Sequence, residues 1–291
     1  MQSNNPVFRR SEEFQSGGAN MYGNPTYTGN GSPHQGYGQP VTDPSQWSVG
    51  TPGTTDRAPV STAPMTIDSV VQKSAITIGV VILAALATWI LTPEVTDSSV
   101  AADLGPLFAL VTIGSLGAFG LSMVNSFKRI ISPGLVLAFA ALQGVALGAI
   151  SKVFNLAYPG VVTGAVIGTF GAFAGTLAAY KLLNIKVGDK FRRGVIAAMF
   201  GMVGISVMAL VLSLFGVDLG IWGNGGLGLL FTVAGLVLGI LMLILDFDFV
   251  EQGIANQIPE RESWRAAFAL TVSLVWIYTN LLRLLAMFSD N

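Results

Sequence analysis

A chain of 291 residues that is 52% hydrophobic and 11% charged, with a mean hydropathy of +0.63, is too apolar for a water-soluble domain, where about a quarter of residues carry charge. Its net charge of −1 supplies no basic field for nucleic acid, and the absence of cysteine excludes disulfides, thiolate nucleophiles and thiolate metal sites. The solvent for most of this chain must be lipid.

Residues 1–65 are rich in Gly, Pro, Ser, Asn, Gln and Tyr, with turn-forming pairs such as Asn24-Pro25 and Ser32-Pro33, and they hold the single histidine, His34. Such a composition cannot bury enough apolar surface to fold alone, so a disordered tail is expected. No apolar stretch follows a basic start, which argues against a cleavable signal peptide and makes the first apolar helix the expected targeting signal.

Seven apolar runs follow, at 75–91, 105–124, 134–150, 161–183, 194–215, 227–245 and 266–288. Each comes close to the roughly 20 residues that span a hydrocarbon core, and none shows the alternation of a barrel strand. Backbone groups in lipid must be satisfied within their own segment, so helices are predicted and residues 66–291 form one all-α, seven-helix transmembrane domain.

Orientation is read from the short loops. With the tail cytoplasmic, the inner side holds Lys73, Lys128, Arg129, Lys186, Lys190, Arg192, Arg193, Arg261 and Arg265, while the outer loops hold Lys152. Glu94, Asp97, Asp103 and Asp218 fall on the outer side, and an odd number of spans puts the C-terminus there too. Glycines at four-residue spacing, Gly144 with Gly148, Gly164 with Gly168, Gly171 with Gly175 and Gly235 with Gly239, predict close helix packing.

Chemistry concentrates at the end of the sixth helix, in the stretch 242–253 that carries Asp246, Asp248 and Glu251. A carboxylate adjoining a lipid-length helix is costly unless it faces a cavity, finds a partner or is protonated. At about 100° per residue, Asp246 and Asp248 point to nearly opposite sides. Asp246 directly follows the apolar run and is the candidate for the interior; Asp248 and Glu251 suit the cytoplasmic interface, and simple solvation of a helix end remains open for both aspartates. Lys128 and Arg129 lie on the same side and could pair with these acids in a pH-dependent gate, although positive-inside sorting alone also places them there. In the seventh helix, Arg283 is close enough to the outer end to snorkel, and Thr279 and Asn280 are expected to bond between helices.

Enzyme motifs fail. Gly223-Asn224-Gly225-Gly226-Leu227-Gly228 spells a dinucleotide fingerprint but opens a membrane helix without a βαβ unit, and Ser206 in Gly204-Ile205-Ser206 has no helix histidine to serve as its base. Neither a Walker loop nor a zinc motif is present. No enzyme, and no resident cofactor, is expected.

The order of these features resembles a known family. Seven spans, a sixth ending in Asp246-Phe247-Asp248-Phe249-Val250 and a seventh ending in Asn280-Leu281-Leu282-Arg283-Leu284-Leu285 are similar to the transmembrane Bax-inhibitor-motif family and its bacterial YccA-like branch. The opening Ser3-Asn4-Asn5-Pro6-Val7-Phe8-Arg9 and the Gly/Tyr/Gln-rich tail resemble the actinobacterial subgroup. The resemblance implies six helices around a central seventh in a bacterial plasma membrane. It also implies a pH-sensitive calcium leak, closed at its cytoplasmic mouth by two aspartates that share a proton. Asp246 matches the first of these; the second falls on Ser273, and a serine cannot supply like-charge repulsion. Asp248 or Glu251 is then the candidate replacement. The family's basic residue at the end of the second helix falls near Ser126, with Lys128 and Arg129 as neighbouring substitutes.

The leading expectation is therefore a cation leak, calcium first and proton second, with Asp246 as the coordinating and titrating group. The alternative is a non-conducting protein that modulates a membrane protease or another membrane protein in a stress response. Its partners are the lipid bilayer and such proteins, not nucleic acid.

Overall fold

The computed structural model describes residues 63–92 and 100–289, the side chains of 100–103 excepted. The tail, with His34, and the acidic residues Glu94 and Asp97 lie outside the described residues, as does the side chain of Asp103. Seven α-helices follow in order: α1 (Ile67–Leu91), α2 (Val100–Phe127), α3 (Pro133–Ala157), α4 (Val161–Leu182), α5 (Asp189–Leu214), α6 (Gly226–Ala255) and α7 (Ser263–Ser289). All seven are long and apolar enough to cross a membrane, which makes this a multi-pass membrane protein.

Local chemistry sets the ends. Thr66 starts α1 with a capping box: its hydroxyl accepts the Ser69 amide at 3.1 Å, and the Ser69 hydroxyl accepts the Thr66 amide at 3.1 Å. Pro133 opens α3 immediately after Ser132, where a missing amide hydrogen costs nothing. Two helices run further than their apolar stretches. α1 begins eight residues before position 75, because Lys73 is neutralised by Glu260 at 2.9 Å rather than left facing lipid. α6 continues ten residues past 245 to Ala255, since each of its acids finds a partner on a neighbouring helix.

α7 is the central helix. It packs against α1, α3, α4 and α6, whereas α2 leans mainly on α3 and α5 on α6. Phe119 on α2 and Phe200 on α5 are left exposed, as lipid-facing side chains should be. Glycines set the closest approaches. A Cβ at Gly144 or Gly148 would strike the backbone carbonyls of Val81 and Ala85 on α1, and one at Gly239 would sit 2.8 Å from Ile277 on α7. Gly164 and Gly168 meet Leu285 and Leu281 of α7 more loosely, at 3.1 Å each. Gly171 and Gly175 have nothing within 4 Å, so this pair packs against no described neighbour.

The segment before α1 belongs to the domain. Main-chain hydrogen bonds of 2.8 Å join Met65 to Ile258 and Glu260 to Ala63, forming a short antiparallel bridge across the α6–α7 connection. Met65 is 2% exposed and lodges beside Gly253 and Ile258. The Ser69 and Ser263 hydroxyls, 2.7 Å apart, add a buried link between the first turns of α1 and α7.

Thr279 and Asn280 correct an expectation. Their side chains bond carbonyls of their own helix, Thr279 to Val275 and Trp276 and Asn280 to Trp276 at 2.8 Å, because a short polar group on a helix reaches its own preceding turn first. At this level of the bundle the hydrogen bond between α6 and α7 comes instead from the Trp276 indole, which donates to the Gly235 carbonyl at 2.8 Å. Ser206 likewise bonds Met202 of its own helix, at 2.9 Å.

Candidate functional site

The last three turns of α6 send their acids to three different helices. Asp246 turns toward α7 and accepts a hydrogen bond of 2.5 Å from the Ser273 hydroxyl. Asp248, about 200° further round, turns toward α5 and pairs with Arg192 at 2.8 Å. Its Oδ2 also accepts from Gln252, four residues on, at 2.7 Å. Glu251 accepts the Tyr180 hydroxyl of α4 at 2.5 Å. Phe247, between these acids, packs edge-on against Phe173 of α4 at 5.6 Å and tilts against Tyr180 at 5.8 Å, which holds this end of α6 against α4.

Burial differs among the three. Ser273 is wholly buried and Asp246 half-buried, while Glu251 is exposed at the helix end. Asp248, at 6% exposure, lies deeper than the solvated interface expected of it, because the Arg192 guanidinium covers it. The decisive difference is in partners: Asp248 has a cation, whereas Asp246 has a neutral hydroxyl.

Lys128 and Arg129 are not gathered into this cluster. Both side chains are exposed at the end of α2, and among the described residues neither pairs with Asp246, Asp248 or Glu251. Their backbone carbonyls instead receive the Arg265 guanidinium, at 3.0 Å from Arg129, and Arg265 also pairs with Glu262 at 2.6 Å. A neighbouring cation is in place, but it is Arg192 of α5. Sequence reasoning counted Arg192 only toward charge sorting, and the 56 residues between it and Asp248 leave no local signal of the pairing. The Asp248–Gln252 contact, at helical spacing, was open to detection.

A cavity of about 440 Å³ opens beside this cluster between α5 and α6, with Arg192, Ile196, Leu245, Phe249 and Gln252 among its walls. Asp246 and Ser273 are not part of that wall; they face the α6–α7 seam. Among the described residues no three His, Asp or Glu side chains come together as a metal cage.

The opposite end of the bundle is built differently. Lys152 of α3 donates to the Trp89 and Thr92 carbonyls at 3.0 and 2.6 Å, closing the C-terminus of α1. Arg283 extends to the loop at this end of the bundle and is half-buried there. It binds the carbonyls of Ile221 and Gly223 and lies 5.5 Å from the Trp222 ring centre, pinning the α5–α6 loop. In that loop the would-be dinucleotide motif is a tight turn: a Cβ at Gly228 would collide with the Gly223 carbonyl.

Compared with known proteins, the chain matches the family model described as Bax inhibitor 1 like over residues 5–290. None of the curated proteins compared with it gives a match.

Proposed function

Because the chain belongs to the Bax inhibitor 1-like family, we propose that it is a cation leak channel, with calcium as the first candidate ion and the proton as the second. The observation that carries this reading is the contrast between two aspartates on one helix. Asp248 is neutralised by Arg192, but Asp246 meets only the Ser273 hydroxyl, so its negative charge is left for a mobile cation or a proton. A carboxylate within a membrane span is a functional group by default, and this one lies against the central helix.

Ser273 stands where the family resemblance implies a second aspartate, and it touches Asp246 as that residue would. Neither Asp248 nor Glu251 takes the missing place, since each faces a different helix. The proposed site therefore has one carboxylate with a hydroxyl donor, not a carboxylate pair. Calcium takes about six to eight oxygens, so two protein side chains suit an ion in transit with most of its water rather than a resident one. The membrane is proposed to be the bacterial plasma membrane, with the N-terminus and the Asp246 end cytoplasmic and the C-terminus outside, on the strength of the basic loops.

The test is calcium flux into vesicles containing the full chain, at acidic and neutral pH, compared with Asp246→Asn. The proposal expects pH-dependent flux in the parent chain and a flux that is both lower and insensitive to pH in the variant. Equal flux in both proteins at both pH values would sink it and leave the non-conducting interaction protein as the better reading.

A further inference from the structure

A second cavity, about 300 Å³ in volume, lies on the side of the bundle between α1 and α4, with α3 and α7 beneath it. Its rim and its floor differ. The rim is formed by exposed apolar side chains, Ile82 and Leu86 on α1 and Val166 and Phe170 on α4. The floor is buried and reaches the central helix at Leu274 and Tyr278. The cleft runs from the middle of these membrane-crossing helices toward the end where α1 terminates and α4 begins, and with exposed apolar lips it opens onto hydrocarbon, not water.

The floor carries hydroxyls, but all are committed. Thr169 and Thr271 donate to the carbonyls four residues before them, at 2.7 Å each, and Ser151 and Tyr278 bond each other at 2.5 Å. With these hydroxyl protons spent and the walls otherwise almost wholly apolar, a polar group placed there would lose its own hydration for little return. The volume is about twice that of the ~150 Å³ apolar cavity able to take up benzene. An occupant must be apolar, slender and supplied from the side.

We infer that this cleft is a binding site for one acyl chain of a membrane phospholipid, which leaves the annular layer and inserts between α1 and α4 to contact α7. The cleft is continuous with the lipid-facing surface, so the chain enters without its headgroup leaving the interface. At about 100° per residue, the α7 positions that floor the cleft, 271, 274, 275 and 278, lie on the side away from Ser273. The inserted chain would thus press on the central helix from the face opposite the one that meets Asp246. Occupancy of the cleft does not depend on whether the protein conducts.

The experiment uses the full-length protein in phosphatidylcholine vesicles doped with a phosphatidylcholine that carries a diazirine in mid-chain. After illumination, adducts are mapped by mass spectrometry of peptides. Adducts on Leu274 and Tyr278, which ordinary annular lipid cannot touch, are expected beside adducts on the outer α5 residue Leu210. Filling the cleft by Val166→Phe, or separately by Ala85→Phe, should lower the floor adducts about tenfold, the factor that ~1.4 kcal/mol of lost apolar contact represents, while Leu210 labelling stays unchanged. Labelling confined to the lips and outer faces would overturn the inference, as would floor labelling indifferent to both variants. Crosslinking that shows a second copy or another protein's helix seated in the cleft would overturn it as well.

Discussion

The two ends of the helical bundle hold their cations by different means. At the end where α1 begins, Lys73, Arg192 and Arg265 pair with the carboxylates of Glu260, Asp248 and Glu262, and Lys73 and Arg265 take main-chain carbonyls as well. At the other end Lys152 and Arg283 bind main-chain carbonyls. A carboxylate can gain a proton and so release its cation, whereas a main-chain carbonyl does not titrate. The first end is therefore adjustable and the second is a fixed clamp, and Asp246 lies at the adjustable one.

The fixed end is broken most severely at Gly228. Placing a methyl group there by Gly228→Ala drives it into the Gly223 carbonyl and dislodges the loop that Arg283 holds, at an expected cost of about 3 kcal/mol, the upper part of the overpacking range. Thermal unfolding in detergent should show a large fall in midpoint; a midpoint within a degree or so of the parent would mean the loop yields freely and the clamp does not exist.

At the adjustable end, Arg192→Met leaves Asp248 buried with Gln252 as its remaining donor. Fully buried pairs cost about 3–5 kcal/mol when broken, but the Arg192 side chain is 44% exposed, so about 2 kcal/mol is expected. The double variant Arg192→Met with Asp248→Leu should recover most of the loss, since no charge is then stranded. Failure to recover would show that Arg192 acts through packing and not through its charge.

The smallest effect separates the ends most cleanly. Lys73→Met and Lys152→Met should each cost about 1 kcal/mol, and salt then distinguishes them. Raising salt from about 0.1 to 1 M shortens the screening length from about 10 to 3 Å, so the Lys73 penalty should shrink modestly, Glu260 being the more exposed partner of a partly buried pair, while the Lys152 penalty persists. Two penalties that respond alike would erase the distinction.

The seven helices were legible because each apolar run answers to one physical requirement, the thickness of the hydrocarbon core. Their ends were not. The stretch 246–251 reads as a helix terminus because three acids in six residues look solvated, yet Arg192, Tyr180 and Ser273 reach them from helices distant in sequence. Residues 67–74 were hidden for the same reason, with Lys73 satisfied by Glu260 across 187 residues. The importance of Asp246 could be read from its place after an apolar run. Its contact with Ser273 was implied by family resemblance, whereas the neutralisation of Asp248 required coordinates. Thr279 and Asn280 were misassigned because polarity on a helix does not say whether the nearest acceptor belongs to another helix or to its own previous turn.

The bridge between Ala63–Met65 and Ile258–Glu260 gives the molecule a defined load path. Tension applied to the chain upstream of Ala63 does not act first on α1. It is borne by two main-chain hydrogen bonds and delivered at Pro259, the joint where α6 ends and α7 begins. That joint connects the helix of Asp246 to the helix of Ser273, so the segment before α1 is tied to the turn shared by both helices that supply this pair.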